Sequence, residues 1–215
     1  MNDEMFALPR GRLNVRDFDG VANGFEPKNV FSDRKIRGKG SIKARYVAPS
    51  GAMLNRLRAL FKLSDLRADA AQSGQHGAVP IIDLDHFKTI NDSLGHHVSD
   101  RVLEAIANSL LAATPTGSTV ARLGGDEFVV LLGALAVDTD ACAVRAVRVA
   151  ENVLERLAAP LAIDNRILGI GANVGVAVFP NEQAQAADII RCADIGLYRA
   201  KSAGCNAVRL FLPHI

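Results

Sequence analysis

Apolar positions recur at helical spacing through Leu54, Leu57, Leu60, Phe61 and Leu63, which predicts a helix over 51–72. The run Gln72 to Gly77 (QSGQHG) breaks it. AVPIIDLD (Ala78 to Asp85) reads as a buried strand ending in carboxylates. Pro80 is expected among its first residues, because it has no N–H to give a central ladder. HFKTIND predicts a short helix and SLGHHVSD a polar loop. Asp100 is then placed to cap a helix whose apolar face is Val102, Leu103, Ile106 and Leu110. STVARL and EFVVLL form two short strands around Gly124-Gly125, a hairpin signal.

Residues 138–159 predict a long helix with Val144, Val147, Leu154 and Leu157 inward. Ile167 to Phe179 is strand material, ended by Pro180. A helix over 185–203 follows, with Ile189, Ile190, Ala193 and Leu197 inward, and NAVRLF supplies a last strand. The order is helix, then β-α-α-β-β-α-β-α-β. It predicts an α+β fold with a central mixed, mostly antiparallel sheet of about five strands flanked by helices. Up to about Arg45 no period of 2 or 3.6 is sustained. Residues 1–45 are therefore expected to form an irregular extension before a domain over 46–215.

Charge separates the same two regions. Residues 1–78 carry 14 Lys/Arg against 8 Asp/Glu, and residues 79–215 carry 11 against 15. Most of the basic excess lies in Lys28 to Arg45, which reads as a solvated leader because aromatic residues do not interleave it, Phe31 being the single one, and no helical stripe runs through it. With no Trp and two Tyr, a stacking surface for single-stranded nucleic acid is not expected. No apolar run approaches the roughly 18 residues of a membrane span, and the first residues lack the apolar core of a signal peptide, so a cytoplasmic location is expected. Cys142, Cys192 and Cys205 have no metal-type spacing and read as reduced, partly buried thiols.

The chemistry is expected at the strand ends. Asp83 closes the first strand, with Asp85 two residues later on the same face. Asp126 and Glu127 sit at a hairpin that should pair beside it. Magnesium takes hard oxygen ligands, and it usually needs only one or two carboxylates plus substrate phosphates. Gly124 and Gly125 would let a triphosphate approach the backbone. Taken singly, each acidic pair reads as a solvated turn. Together with Lys88, one helical turn past Asp85, and Lys201 on a late helix, they point to phosphate chemistry. His96 and His97 read as loop residues without metal-binding company.

IDLDHFKTINDSLGHHVSD, ARLGGDEFVVLL, NVGVAVFP and ADIGLYRAKSAGCNAV occur in this order and at these separations. Together they closely resemble the GGDEF domain of diguanylate cyclases, over about residues 78–211. The resemblance implies a nucleotidyl-cyclase-like fold. It also implies condensation of two GTP into cyclic di-GMP and two pyrophosphates across a homodimer, with magnesium, or manganese as the alternative. By motif, Asp83, the backbone of Leu84, and Asp126 or Glu127 correspond to the metal site. Asp126 or Glu127 would also help activate the attacking 3′-hydroxyl. Asn91 and Asp100 correspond to the guanine readers. Phe87, Lys88 and Lys201 would shape the triphosphate pocket beside Gly124 and Gly125.

Three stretches depart from the family pattern. The usual D-x-L-T-G-L-P-N-R opening corresponds to YVAPSGAMLNR (Tyr46 to Arg56), which keeps Gly51 and Asn55-Arg56. The late A-K-x-x-G-R-N motif reads AKSAGCN, so Cys205 stands where an arginine would contact phosphate. The R-x-x-D product-inhibition positions read PTGS (Pro115 to Ser118), so no feedback inhibition is expected there. The alternatives are a GGDEF domain that binds GTP without catalysis and regulates a partner, and an interaction module acting through the basic leader. An upstream signalling partner would act through that extension. Neither nucleic acid nor a membrane span is expected.

Overall fold

The structure is a computed structural model that describes residues 45–47, 52–180 and 184–212. The expected extension over 1–45 lies almost wholly outside the described residues. A short strand β1 (Arg45–Val47) precedes α1 (Ala52–Ser73), β2 (His76–Leu84) and α2 (Phe87–Ala113). The hairpin β3 (Thr119–Gly124) and β4 (Glu127–Ala136) follows, then α3 (Thr139–Leu157). A small two-stranded ribbon, β5 (Leu161–Ile163) and β6 (Arg166–Leu168), leads to β7 (Ala172–Phe179), α4 (Ala186–Ser202) and β8 (Val208–Leu210).

Six strands form one sheet in the order β1-β3-β4-β2-β7-β8. The outer pairs β1–β3 and β7–β8 are parallel and the inner three pairs antiparallel. The α+β, mixed and mostly antiparallel architecture is as expected, with β1 as the added edge strand. β2 is central and carries apolar residues on both faces, because helices cover both. Ile82, Phe128, Val130 and Val174 pack with Val102, Ile106, Leu110 and Ala150 of α2 and α3. Val79, Ile81, Val129 and Ala177 pack with Leu63, Ile189, Ala193 and Leu197 of α1 and α4. Successive residues of a strand point to opposite faces, so Asp83 shares the α1/α4 face with Ile81.

Helix α4 lies directly on β7. A Cβ on Gly175 would collide with the Ala193 carbonyl and the Leu197 amide, and one on Gly196 would come within 2.8 Å of the Arg209 carbonyl. The absence of both side chains lets helix and strand backbones touch.

Several local expectations change. Pro80 occupies the fifth of nine positions in β2, not the first. It stands opposite Val176 of β7, and the pairing with β4 is interrupted between Ala78 and Ile81, where the ring has no N–H to give. The expected polar loop is helical. The chain kinks only at Gly95 (φ 79, ψ 167) and re-enters helix at once, so Asp100 lies inside α2 and caps nothing. His96 and His97 are exposed on that helix. On α3, Val144 is 66% exposed, and the inward stripe is instead Cys142, Ala146, Ala150, Val153, Leu154 and Leu157. Leu54 and Phe61 of α1 face outward, while Ala59 and Leu63 are buried.

Candidate functional site at the end of the central strand

Cross-strand pairing assembles the site. Asp83 stands opposite Glu127 of β4 on one side and opposite Asn173 of β7 on the other. Directly opposed residues share a face, so Glu127, Asp83 and Asn173 form a row across three strands on the α1/α4 side. The hairpin is fastened to the same place. The Leu84 amide donates to the Asp126 carbonyl at 3.2 Å, and Arg122 Nε donates to the Gly125 carbonyl at 2.9 Å. Gly125 turns with φ 52, a left-handed conformation that suits a residue without a side chain.

From α4, Lys201 Nζ reaches Asp83 Oδ2 at 2.8 Å. The Asp83 carboxylate is nevertheless held above the usual range. Burial is the main cause, opposed by Lys201 and reinforced by Asp126 and Asp85. Burial also raises Glu127, and the negative charges of Asp194, Asp83 and Asp126 push the same way, against the attraction of Arg56. Asp194 itself is raised by burial and eased by Arg56. Crowded, partly desolvated acids of this kind mark a place that favours a cation.

Asp83, Leu84, Gly124, Gly125, Asp126, Glu127 and Lys201 therefore meet at one end of the sheet. Asn91 and Asp100 lie on either side of the Gly95 kink in α2, half-exposed and exposed respectively. Lys88 is exposed on the first turn of that helix, whereas Phe87 is buried in the α2/α3 core. Among the described residues, no cluster of three or more Asp, Glu, His or Cys side chains is arranged to hold a metal ion. Asp83 is engaged by Lys201 instead.

Arg56, Asp194 and Asn173 belong to this neighbourhood, and motif reading did not single them out as site residues. Asn55-Arg56 is the remnant of the altered opening segment, and that remnant was the available signal for Arg56. All three cysteines are free. Cys142 is buried with its thiol pushed up to about 11 by burial, and Cys205 is exposed, not partly buried.

A family model described as "Diguanylate cyclase, GGDEF domain" matches residues 50–207. The chain belongs to the GGDEF domain family. Diguanylate cyclase TpbB of Pseudomonas aeruginosa is 37% identical over 156 residues, covering 71% of this chain and 35% of that protein. The cyclic di-GMP phosphodiesterase NbdA of the same species is 35% identical over 138 residues, covering 64% of this chain and 17% of that protein. The crystal structure of the TpbB GGDEF domain superposes with a TM-score of 0.68 at 34% identity, covering 74% of this chain and 96% of that one. This GGDEF chain thus spans about a third or less of the curated relatives it matches. None of its described helices is long and apolar enough to cross a membrane.

Proposed function

We propose that this GGDEF domain is a diguanylate cyclase. Two GTP molecules, one on each of two facing copies of the chain, condense to cyclic di-GMP and two pyrophosphates. In each half of the reaction the 3′-oxygen of one GTP bonds to the α-phosphorus of the other. The bond to the β-phosphate oxygen breaks, pyrophosphate departs, and the hydroxyl proton passes to a base. The observation carrying this reading is the register pairing of Asp83 with Glu127, with Lys201 above it on the same face.

Asp83, the Leu84 carbonyl, and Asp126 or Glu127 are assigned to the metal. Their chemistry fits a small, hard cation, because hard oxygens are crowded where burial and mutual repulsion disfavour their charge. Magnesium, or manganese in its place, supplies charge neutralisation at the transferring phosphate and a more acidic hydroxyl. Glu127 is assigned the 3′-hydroxyl proton, with Asp126 as the alternative. A carboxylate held above its usual range is the better base near neutrality. Gly124 and Gly125 admit phosphate oxygens to the backbone, and Lys201 and Lys88 offer ammonium groups to the triphosphate. Asp100 accepts from guanine N1–H and N2–H, while the Asn91 amide both donates and accepts. Phe87, packed in the α2/α3 core on the other face of the sheet, is assigned an indirect part, anchoring the start of α2 after the Asp83–Leu84 segment.

Incubating the purified chain with GTP and magnesium and separating the nucleotides tests this reading. Cyclic di-GMP is the expected product, with a rate that rises more steeply than linearly in protein concentration. GTP binding without product at high protein concentration overturns it in favour of a second reading, a nucleotide-binding domain that regulates a partner. Exposed Cys205 in place of a phosphate-binding arginine favours that second reading. So does the related segment within a protein named as a phosphodiesterase.

A further inference from the structure

Asn173 is fully buried in β7, in a strand that is otherwise apolar or glycine. Its Nδ2 donates to Asp85 Oδ1 at 2.8 Å. A carboxylate only accepts, so the amide nitrogen must face it. The Asn173 Oδ1 is buried and has no hydrogen-bond partner among the described residues. An apolar side chain would fill this place without burying an unpaired acceptor, so packing does not explain the amide.

What the amide holds is the turn from β2 into α2. The Asp85 amide donates to the Gly171 carbonyl at 2.8 Å. Gly171 also leaves room for the carboxylate: a Cβ there would come within 2.6 Å of Asp85 Oδ2. Immediately afterwards His86 takes a left-handed conformation (φ 57) with no side-chain cap on the helix it begins. A non-glycine residue in that region is strained and persists only where its surroundings hold it. The strained residue and the clamped residue directly follow Asp83 and Leu84.

We infer that Asn173 is a positioning residue which, through Asp85 and against Gly171, sets the orientation of the Asp83–Leu84 metal-binding segment. Asp85 is therefore a strut of the turn and not a metal ligand. The inference rests on the metal assignment proposed above. Partners that orient metal ligands typically contribute 10–100-fold to metal affinity.

Manganese titration of the full chain with a non-hydrolysable GTP analogue, followed by electron paramagnetic resonance, reads this without turnover. Asn173→Ala and Asp85→Ala should each weaken manganese binding by about tenfold or more. The double variant should be no weaker than the worse single, because both remove one linkage. Additive losses, or unchanged affinity in either folded variant, overturn the inference. If Asn173→Ala does not fold, Asp85→Ala decides alone, since Asp85 is only half-buried. Absence of manganese binding in the unsubstituted chain would instead sink the metal assignment itself.

Discussion

Lys201 holds Asp83 across the face of the central strand, Nζ to Oδ2 at 2.8 Å. The lysine is 44% exposed and the aspartate 12%, so the pair is partly screened. Pairs of this kind contribute about 0–1 kcal/mol. The ammonium thus occupies the carboxylate that is proposed for the metal, and a metal ion binding there would have to compete with it.

Lys201→Met should therefore tighten the binding of manganese alone by up to about fivefold. The same change should weaken binding of the metal–GTP complex, which loses an ammonium. Calorimetric titrations with metal alone and with metal plus a GTP analogue separate the two effects. Weaker binding in both would show that Lys201 is not a competitor.

Glu127→Gln should abolish cyclic di-GMP formation while leaving the fold intact, because the amide cannot take the hydroxyl proton. Far-ultraviolet circular dichroism and nucleotide chromatography check the two halves of that statement. Residual turnover above a few per cent would move the base to Asp126.

Asp194 carries a pH prediction. Its folded-state pKa is raised above 3.8 by burial, so the folded protein binds a proton that the unfolded chain releases. That contribution is fully present below pH 3.8 and is lost as pH rises through the raised value. Asp194→Asn should thus melt higher than the unsubstituted chain at pH 7 without metal, by on the order of 1 °C. The difference should shrink as pH approaches 3.8. A lower melting temperature at pH 7 would mean that the Asp194–Arg56 attraction outweighs desolvation.

Cys205→Arg should raise activity or GTP affinity. Cys205 is exposed with φ 69, and arginine would take the same backbone at comparable strain. A hydrogen bond to a charged group contributes about 1.5–3 kcal/mol, which corresponds to tenfold or more in kcat/KM. No change would mean that residue 205 does not face the phosphates.

Ser118 closes on Pro115, donating to its carbonyl through N–H at 3.1 Å and through Oγ at 2.7 Å. The turn offers no charged side chain to a dinucleotide. Added cyclic di-GMP should therefore not inhibit through residues 115–118. Tight binding of the product that is lost on substituting this turn would refute it.

Helices α1 and α4 and the hairpin were legible in the sequence because their apolar spacing is regular. Strand β2 was legible as a strand, but its two faces were not. With apolar residues on both sides, nothing in AVPIIDLD says which helix pair Asp83 meets. Val144 misled because α3 buries alanines and Cys142, small residues that allow close packing, and leaves a valine outside. Asp100 misled because a helix can resume within one residue of a glycine kink. At the site, Asp83 and Glu127 were legible as acids at strand ends that pairing would bring together. Asn173 was not, since its role depends on which residue of β2 it faces, and NVGVAVF reads simply as strand. Arg56 and Asp194 lie on different helices and meet Glu127 only after both have packed on the same side of the sheet.

The contact of Gly175 with Gly196 has a last consequence. Side chains between a helix and a sheet act as adjustable shims, and a core can absorb a change by re-sorting them. At the crossing of Gly175 and Gly196 there are none, so there the height of α4 above β7 is dictated by main-chain atoms. Lys201 and Asp194 thus overlook the acidic row from a rigid mount. Drift in distant apolar residues can alter how stable this domain is, but has little leverage over where those two charges stand.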